Sequence, residues 1–169
     1  MDHILSEVAP YLPRDVASVL EGLTLNEQKD IREIRVKADC PLLVCSGGGR
    51  KIYDASVHTK ADIDASFRKI CASSAYTHRN EIRAGFVTIP GGHRVGIVGT
   101  AVVSEGGRVE GMREIYGLSF RIAREHPVAI DDLLHRIFVG DRIRNLLLVG
   151  PPCSGKTTVL RALARALSD

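Results

Sequence analysis

The spacing of apolar and polar positions changes period several times along this chain, and each change marks an element. Leu5 and Val8 share a helical face, Pro10 and Pro13 break the run, and Val16, Val19, Leu20 and Leu23 make a second apolar stripe closed by Gly22. Thr24 and Glu27 have capping-box spacing and predict a further short helical turn. The period then drops to two. In EIRVK, Ile34 and Val36 fall on one face and Glu33, Arg35 and Lys37 on the other, as in a half-buried strand. PLLVC meets RKIYD across SGGGR, whose glycines are expected to supply the positive backbone angles of a hairpin turn. Helical spacing returns after Thr59, the expected N-cap of a helix from Lys60 to about Ser73. Ile63, Phe67, Ile70 and Cys71 lie on its core side.

From EIRAGFV, beginning at Glu81, to LSFRIAR the chain is rich in β-branched residues and punctuated by PGG at 90–92 and EGG at 105–107. This predicts several antiparallel strands joined by tight turns. EHPVAIDD reads as a seam, with Pro127 stopping the last strand, and DDLLHRIF as a short helix. RNLLLVG is a short apolar run bounded by charge and glycine, which predicts a strand buried on both faces of a parallel sheet. Beyond it, Leu160, Leu163, Ala164 and Leu167 line one side of a helix. The expected organisation is an α+β domain over 1–126. Over 127–169 it is a linker and the first strand, loop and helix of an incomplete α/β domain.

Composition narrows the function more by exclusion than by assertion. A hydrophobic fraction of 44% and a charged fraction of 25% suit a globular chain with a real core. The absence of Trp, the 5% aromatic content and a scattered net charge of +3 argue against a stacking platform for single strands, so nucleic acid is not an expected partner. The cysteines and histidines show no ligand spacing, which leaves no metal expected beyond one carried by a nucleotide. No apolar run reaches signal-peptide or membrane-span length, and the expected location is cytoplasmic.

The chemistry concentrates in GPPCSGKTT. Gly150, Gly155, Lys156 and Thr157 satisfy the Walker A pattern, G-x-x-x-x-G-K-[ST]. Glycines let the backbone wrap phosphates so that successive N–H groups point inward, and the helix that follows adds its positive end. Gly150, Pro151, Pro152, Cys153, Ser154, Gly155, Lys156, Thr157 and Thr158 are the expected ATP-binding residues. Lys156 would stabilise the β- and γ-phosphates and Thr157 would offer its hydroxyl to Mg²⁺. Cys153 reads either as a small filler or as a thiol made reactive by the helix start. An acid that holds Mg²⁺ and a group that positions water are also needed for hydrolysis. No strand follows the loop to carry them, so the chain reads as a piece of a longer protein.

GFVTIPGGHRVGIVGTAV at 85–102, LSFRIAR at 118–124 and LLLVGPPCSGKTT, with EIRVKADCPLLV before them, closely resemble the stage III sporulation protein AA family of the type II/type IV secretion ATPases. The resemblance implies an N-terminal α+β domain linked to a RecA-like P-loop NTPase domain, here truncated. It further implies homo-hexameric rings serving the channel between mother cell and forespore, on the mother-cell cytoplasmic side, docked to a membrane protein of the same apparatus. Arg94 in GGHRVG and Arg121 in SFRIAR match the arginines that reach the nucleotide in such enzymes; the bland alternative is two arginines on a solvated strand face. Arg83, Arg113 and Arg124 are weaker candidates, and His93 suits a turn or local hydrogen bond. Two other readings stay open: a docking and assembly module whose loop is inert, and a nucleic-acid-linked P-loop ATPase.

Overall fold

The computed structural model describes residues 1–71, 78–124, 128–140 and 142–168. It divides into two compact units, Met1–Arg124 and Glu125–Asp169. The first opens with α1 (His3–Val8), a 3₁₀ turn at Ala9–Tyr11, α2 (Arg14–Glu21) and α3 (Leu25–Asp30). Both prolines sit where a missing N–H costs nothing: Pro10 in the first positions of the 3₁₀ turn and Pro13 at the N-cap of α2. The predicted capping box is formed, with the Thr24 hydroxyl accepting the Glu27 N–H at 3.3 Å and the Glu27 carboxylate accepting the Thr24 N–H at 2.9 Å.

Six strands follow: β1 (Ile31–Lys37), β2 (Pro41–Ser46), β3 (Gly49–Val57), β4 (Phe86–Ile89), β5 (His93–Val103) and β6 (Val109–Arg121). They form one sheet in the order β3-β2-β1-β6-β5-β4, with every named pairing antiparallel. The helix α4 (Lys60–Cys71) stands in the chain between the two edge strands, β3 and β4. Thr59 does head it: its hydroxyl and N–H exchange hydrogen bonds with Asp62. The expected extension to Ser73 lies outside the described residues.

The core forms on one face of the sheet. Ile34, Val36, Leu42, Val87, Val95, Leu118 and Phe120 from the strands meet Leu5, Val8, Val16 and Leu20 from the first helices and Ile63 and Ile70 from α4. Burial of these side chains supplies the main drive for folding, roughly 1.5–3 kcal/mol for each large aliphatic or aromatic group. The opposite face carries exposed Arg35, Lys37, Arg94 and Arg121.

Two local readings differ from the sequence expectation. Residues 81–83 are not strand; they belong to a short helix, α5 (Arg79–Arg83), held by the Glu81 carboxylate accepting from His78 at 2.7 Å and from the Thr88 N–H at 3.2 Å. In the SGGGR turn, only Gly49 has a positive φ, at +135°. Gly47 serves a different need, since a Cβ there would lie 2.5 Å from Asp30 Oδ1.

The second unit contains α6 (Asp131–Ile137), a two-stranded hairpin of β7 (Phe138–Val139) and β8 (Arg142–Ile143), and α7 (Lys156–Ala166). The expected stop at Pro127 lies outside the described residues; β6 itself ends earlier, at Arg121. Phe138 leaves the predicted helix for β7. The predicted strand RNLLLVG is not formed: residues 144–150 have no ladder, and Leu147 and Val149 are each 85% exposed. A buried parallel strand needs neighbours on both edges and cover on both faces, and the described residues provide neither. For the same reason Leu163 of α7 is buried while Leu160 and Leu167 of its stripe remain exposed.

Candidate functional site

The loop Gly150–Gly155 turns back on itself at two left-handed residues, Cys153 with φ +61° and Gly155 with φ +85°. Gly155 fits that conformation without strain, whereas Cys153 meets a Cβ penalty of about 1–2 kcal/mol. Gly155 is also the N-cap of α7, and no side chain caps that end, so the first-turn N–H groups face outward unclaimed by a side-chain acceptor. The Lys156 ammonium lies at the hub, donating to Gly150 O at 2.7 Å and Pro151 O at 2.6 Å, with Ser154 Oγ at 3.4 Å. An open concavity of about 220 Å³ is lined by Cys153, Ser154, Gly155, Lys156, Thr157 and Thr158. No acid lines it. A Cβ on Gly150 would come within 2.9 Å of Ser154 Oγ, so glycine there allows the close wrap. A cationic centre, free N–H groups and hydroxyls without a carboxylate among them fit a bound anion.

Arg94 and Arg121 are brought together. They are direct cross-strand partners on β5 and β6 and their side chains share the open face. Opposed like charges repel, and each guanidinium is drawn aside. Arg94 lies over the Phe86 ring, 4.8 Å from its centroid. Arg121 Nε is 3.7 Å from Glu33 Oε1, with its side chain still 75% exposed. Glu33 has closer partners, accepting from Ser119 Oγ at 2.5 Å and from Arg35 Nη2 at 2.7 Å. Burial pushes the Glu33 carboxyl up, but the hydrogen bonds from Arg35 and Ser119 and the charges of Arg35 and Arg121 outweigh it, leaving it below the usual range.

The other arginines separate clearly. Arg124 is largely buried and donates to Asp2 Oδ2 at 2.9 Å, Gln28 O at 2.6 Å and Ile31 O at 3.2 Å, which ties the exit of β6 to the N-terminal helices. Arg83 donates to Glu110 O at 3.0 Å from the surface. Arg113 lies opposite Thr100 in the distal part of the β5–β6 hairpin, away in register from Arg94. His93 is buried: its Nδ1 accepts the Ala123 N–H at 3.0 Å, so in the neutral ring Nε2 is the donor, toward Glu7 Oε2 at 3.2 Å. Sequence reasoning singled out Arg94 and Arg121 but missed Glu33, Arg35 and Ser119. The alternation in EIRVK placed Glu33 on the outer face, but only sheet register shows which strand lies beside it. Among the described residues no cluster of acids, histidines and cysteines could hold a metal, and no helix is long and apolar enough to cross a membrane.

The family model for sporulation stage III, protein AA matches residues 6–169. The chain belongs to that family. A curated relative, stage III sporulation protein AA of Bacillus subtilis (strain 168), is 34% identical over 164 residues, covering 97% of this chain and 52% of its own length. The chain thus spans about half the length of the relative it matches. Among solved structures, the Legionella pneumophila ATPase DotB aligns with a TM-score of 0.49 at 17% identity, over 92% of this chain and 42% of that one. The VirB11 ATPase of the Brucella suis type IV secretion system, in complex with sulphate, aligns at 0.45 and 12% identity, over 98% and 44%.

Proposed function

We propose that the chain is the N-terminal portion of an ATP-binding and hydrolysing motor for the sporulation-specific, secretion-like channel between mother cell and forespore. Family membership supports the sporulation role. The observation that carries the nucleotide reading is the left-handed loop that closes around Lys156 at the uncapped start of α7. On this reading Gly150–Thr158 begins a RecA-like P-loop domain, and the motor is a cytoplasmic homo-hexamer on the mother-cell side, docked to a membrane protein of the same apparatus. Bound Mg·ATP supplies the phosphoryl group whose hydrolysis powers such a motor. Lys156 would exchange its two loop carbonyls for β- and γ-phosphate oxygens, the first-turn N–H groups of α7 would hold phosphate, and the Thr157 hydroxyl would face Mg²⁺. Arg94 and Arg121 are proposed to contact nucleotide phosphates as planar, permanently charged donors.

The test is calorimetric titration of the chain with Mg·ATP beside Lys156→Ala. Saturable heat is expected from the parent sequence, with affinity at least tenfold weaker in the variant, about 1.4 kcal/mol. A second reading, a docking module with an inert loop, is favoured by the fact that Lys156 already satisfies its donors within the loop. Absence of heat and of any melting shift from both proteins would replace the motor reading with that one.

A further inference from the structure

We infer that Glu33 is the resident counter-anion of the Arg94–Arg121 pair, and that a phosphate-bearing ligand engages the pair by drawing Arg121 away from Glu33. This rests on the reading of Arg94 and Arg121 as phosphate contacts. The register aligns a row across the outer face of the sheet: Cys45 on β2, Glu33 on β1, Arg121 on β6, Arg94 on β5 and Thr88 on β4. Glu33 is the acid of that row and stands directly beside Arg121.

The partners of Glu33 are unequal. Ser119 and Arg35 hold it by hydrogen bonds of 2.5 and 2.7 Å, while Arg121 approaches only to the 3.7 Å of a loose ion pair. Arg121 can therefore leave without stranding the carboxylate, whose hydrogen bonds remain. Arg94 is held by a ring face rather than an acid, and a cation over a ring is easily shared with an anion at its edge. The carboxylate acts in two ways on an incoming phosphate. It occupies Arg121, and it opposes a second negative charge a few ångströms away. Its role is to set the threshold at which the arginines accept phosphate, which makes it a positioning residue.

The experiment titrates the full chain with inorganic pyrophosphate and follows the backbone amide resonances of Gly96, Ser119 and Arg121, in the parent sequence, Glu33→Gln, Glu33→Asp, Arg94→Ala and Arg121→Ala. Gln keeps an acceptor for Ser119 and removes the charge; Asp keeps the charge. Glu33→Gln is expected to tighten the response roughly fivefold, the worth of a partly exposed ion pair near 1 kcal/mol. Its salt dependence should steepen, while Glu33→Asp stays within about twofold of the parent because the charge term is retained. Equal or weaker binding by Glu33→Gln, with the response still lost in Arg94→Ala and Arg121→Ala, overturns the counter-anion role and leaves the arginine reading standing. A response absent from the parent, or unchanged by either arginine variant, overturns both.

Discussion

Arg121 and Arg124 leave the same strand end and meet opposite environments. Arg124 is enclosed by Asp2, Gln28 and Ile31, so its removal strands a buried carboxylate and two carbonyls. Arg124→Ala is expected to cost about 2 kcal/mol in denaturant unfolding, the scale of lost charge-assisted hydrogen bonds. Arg121→Ala should change stability by less than about 0.5 kcal/mol, because the side chain is largely solvated. The contrast separates a structural arginine from one free to bind. Gly91 makes a similar point about backbone. Its φ is +81°, and a Cβ would crowd the Glu7–His93 contact. Gly91→Ala should therefore lose about 1–2 kcal/mol from the left-handed conformation alone, a loss visible in the same unfolding curves.

Among the elements, the helices that were easiest to read carry their own start signals. Thr24 with Glu27, and Thr59 with Asp62, close reciprocal hydrogen bonds. Thr24→Ala and Thr59→Ala should each cost about 1 kcal/mol by thermal or chemical denaturation. The pH dependence has the same origin. Hydrogen bonds from Thr24, Thr59 and His78 hold the Glu27, Asp62 and Glu81 carboxyls below their usual range, and Glu33 is held low as well. A folded-state value below the unfolded one gives stability that is complete above the unfolded value, near pH 4, and is lost as pH falls through the folded value. Stability should therefore stay level for these groups down to about pH 5 and drop below pH 4. An unfolding midpoint that rises on acidification would contradict this. The helix α5 was missed because RNEIR has no apolar stripe. It is held by Glu81 to His78, three positions away, and by the longer-range contacts of Glu81 with Thr88 and of Arg83 with Glu110, which no helical period records.

At the scale of the whole molecule, the first unit owns its core and the second leaves apolar side chains uncovered. Phe120 is fully buried in the central part of the sheet, and Phe120→Ala is expected to remove about 3–5 kcal/mol through transfer and cavity terms. Leu147 and Val149 contribute nothing comparable while they face solvent. Hydrogen exchange should report the difference directly. Amides of β1 and β6, laddered on both sides where they pair, should exchange last, and those of 145–149 within the earliest measurable interval. Slow exchange across 145–149 would mean that the predicted strand is paired in solution.

The linear pattern of residues determined the capped starts of α3 and α4, the inner and outer faces of β1, the hairpins and the GPPCSGKTT loop. Each of these depends on interactions within a few positions of the chain. Tertiary structure alone decided that β1 lies between β2 and β6, that Arg94 faces Arg121 beside Glu33, and that Arg124 is an anchor. Those facts arise from strand order and register, which bring together residues far apart in the chain, and no local period records them. The strand expected in RNLLLVG failed for the same physical reason: apolar character creates a demand for burial, but only neighbouring strands and covering layers can meet it.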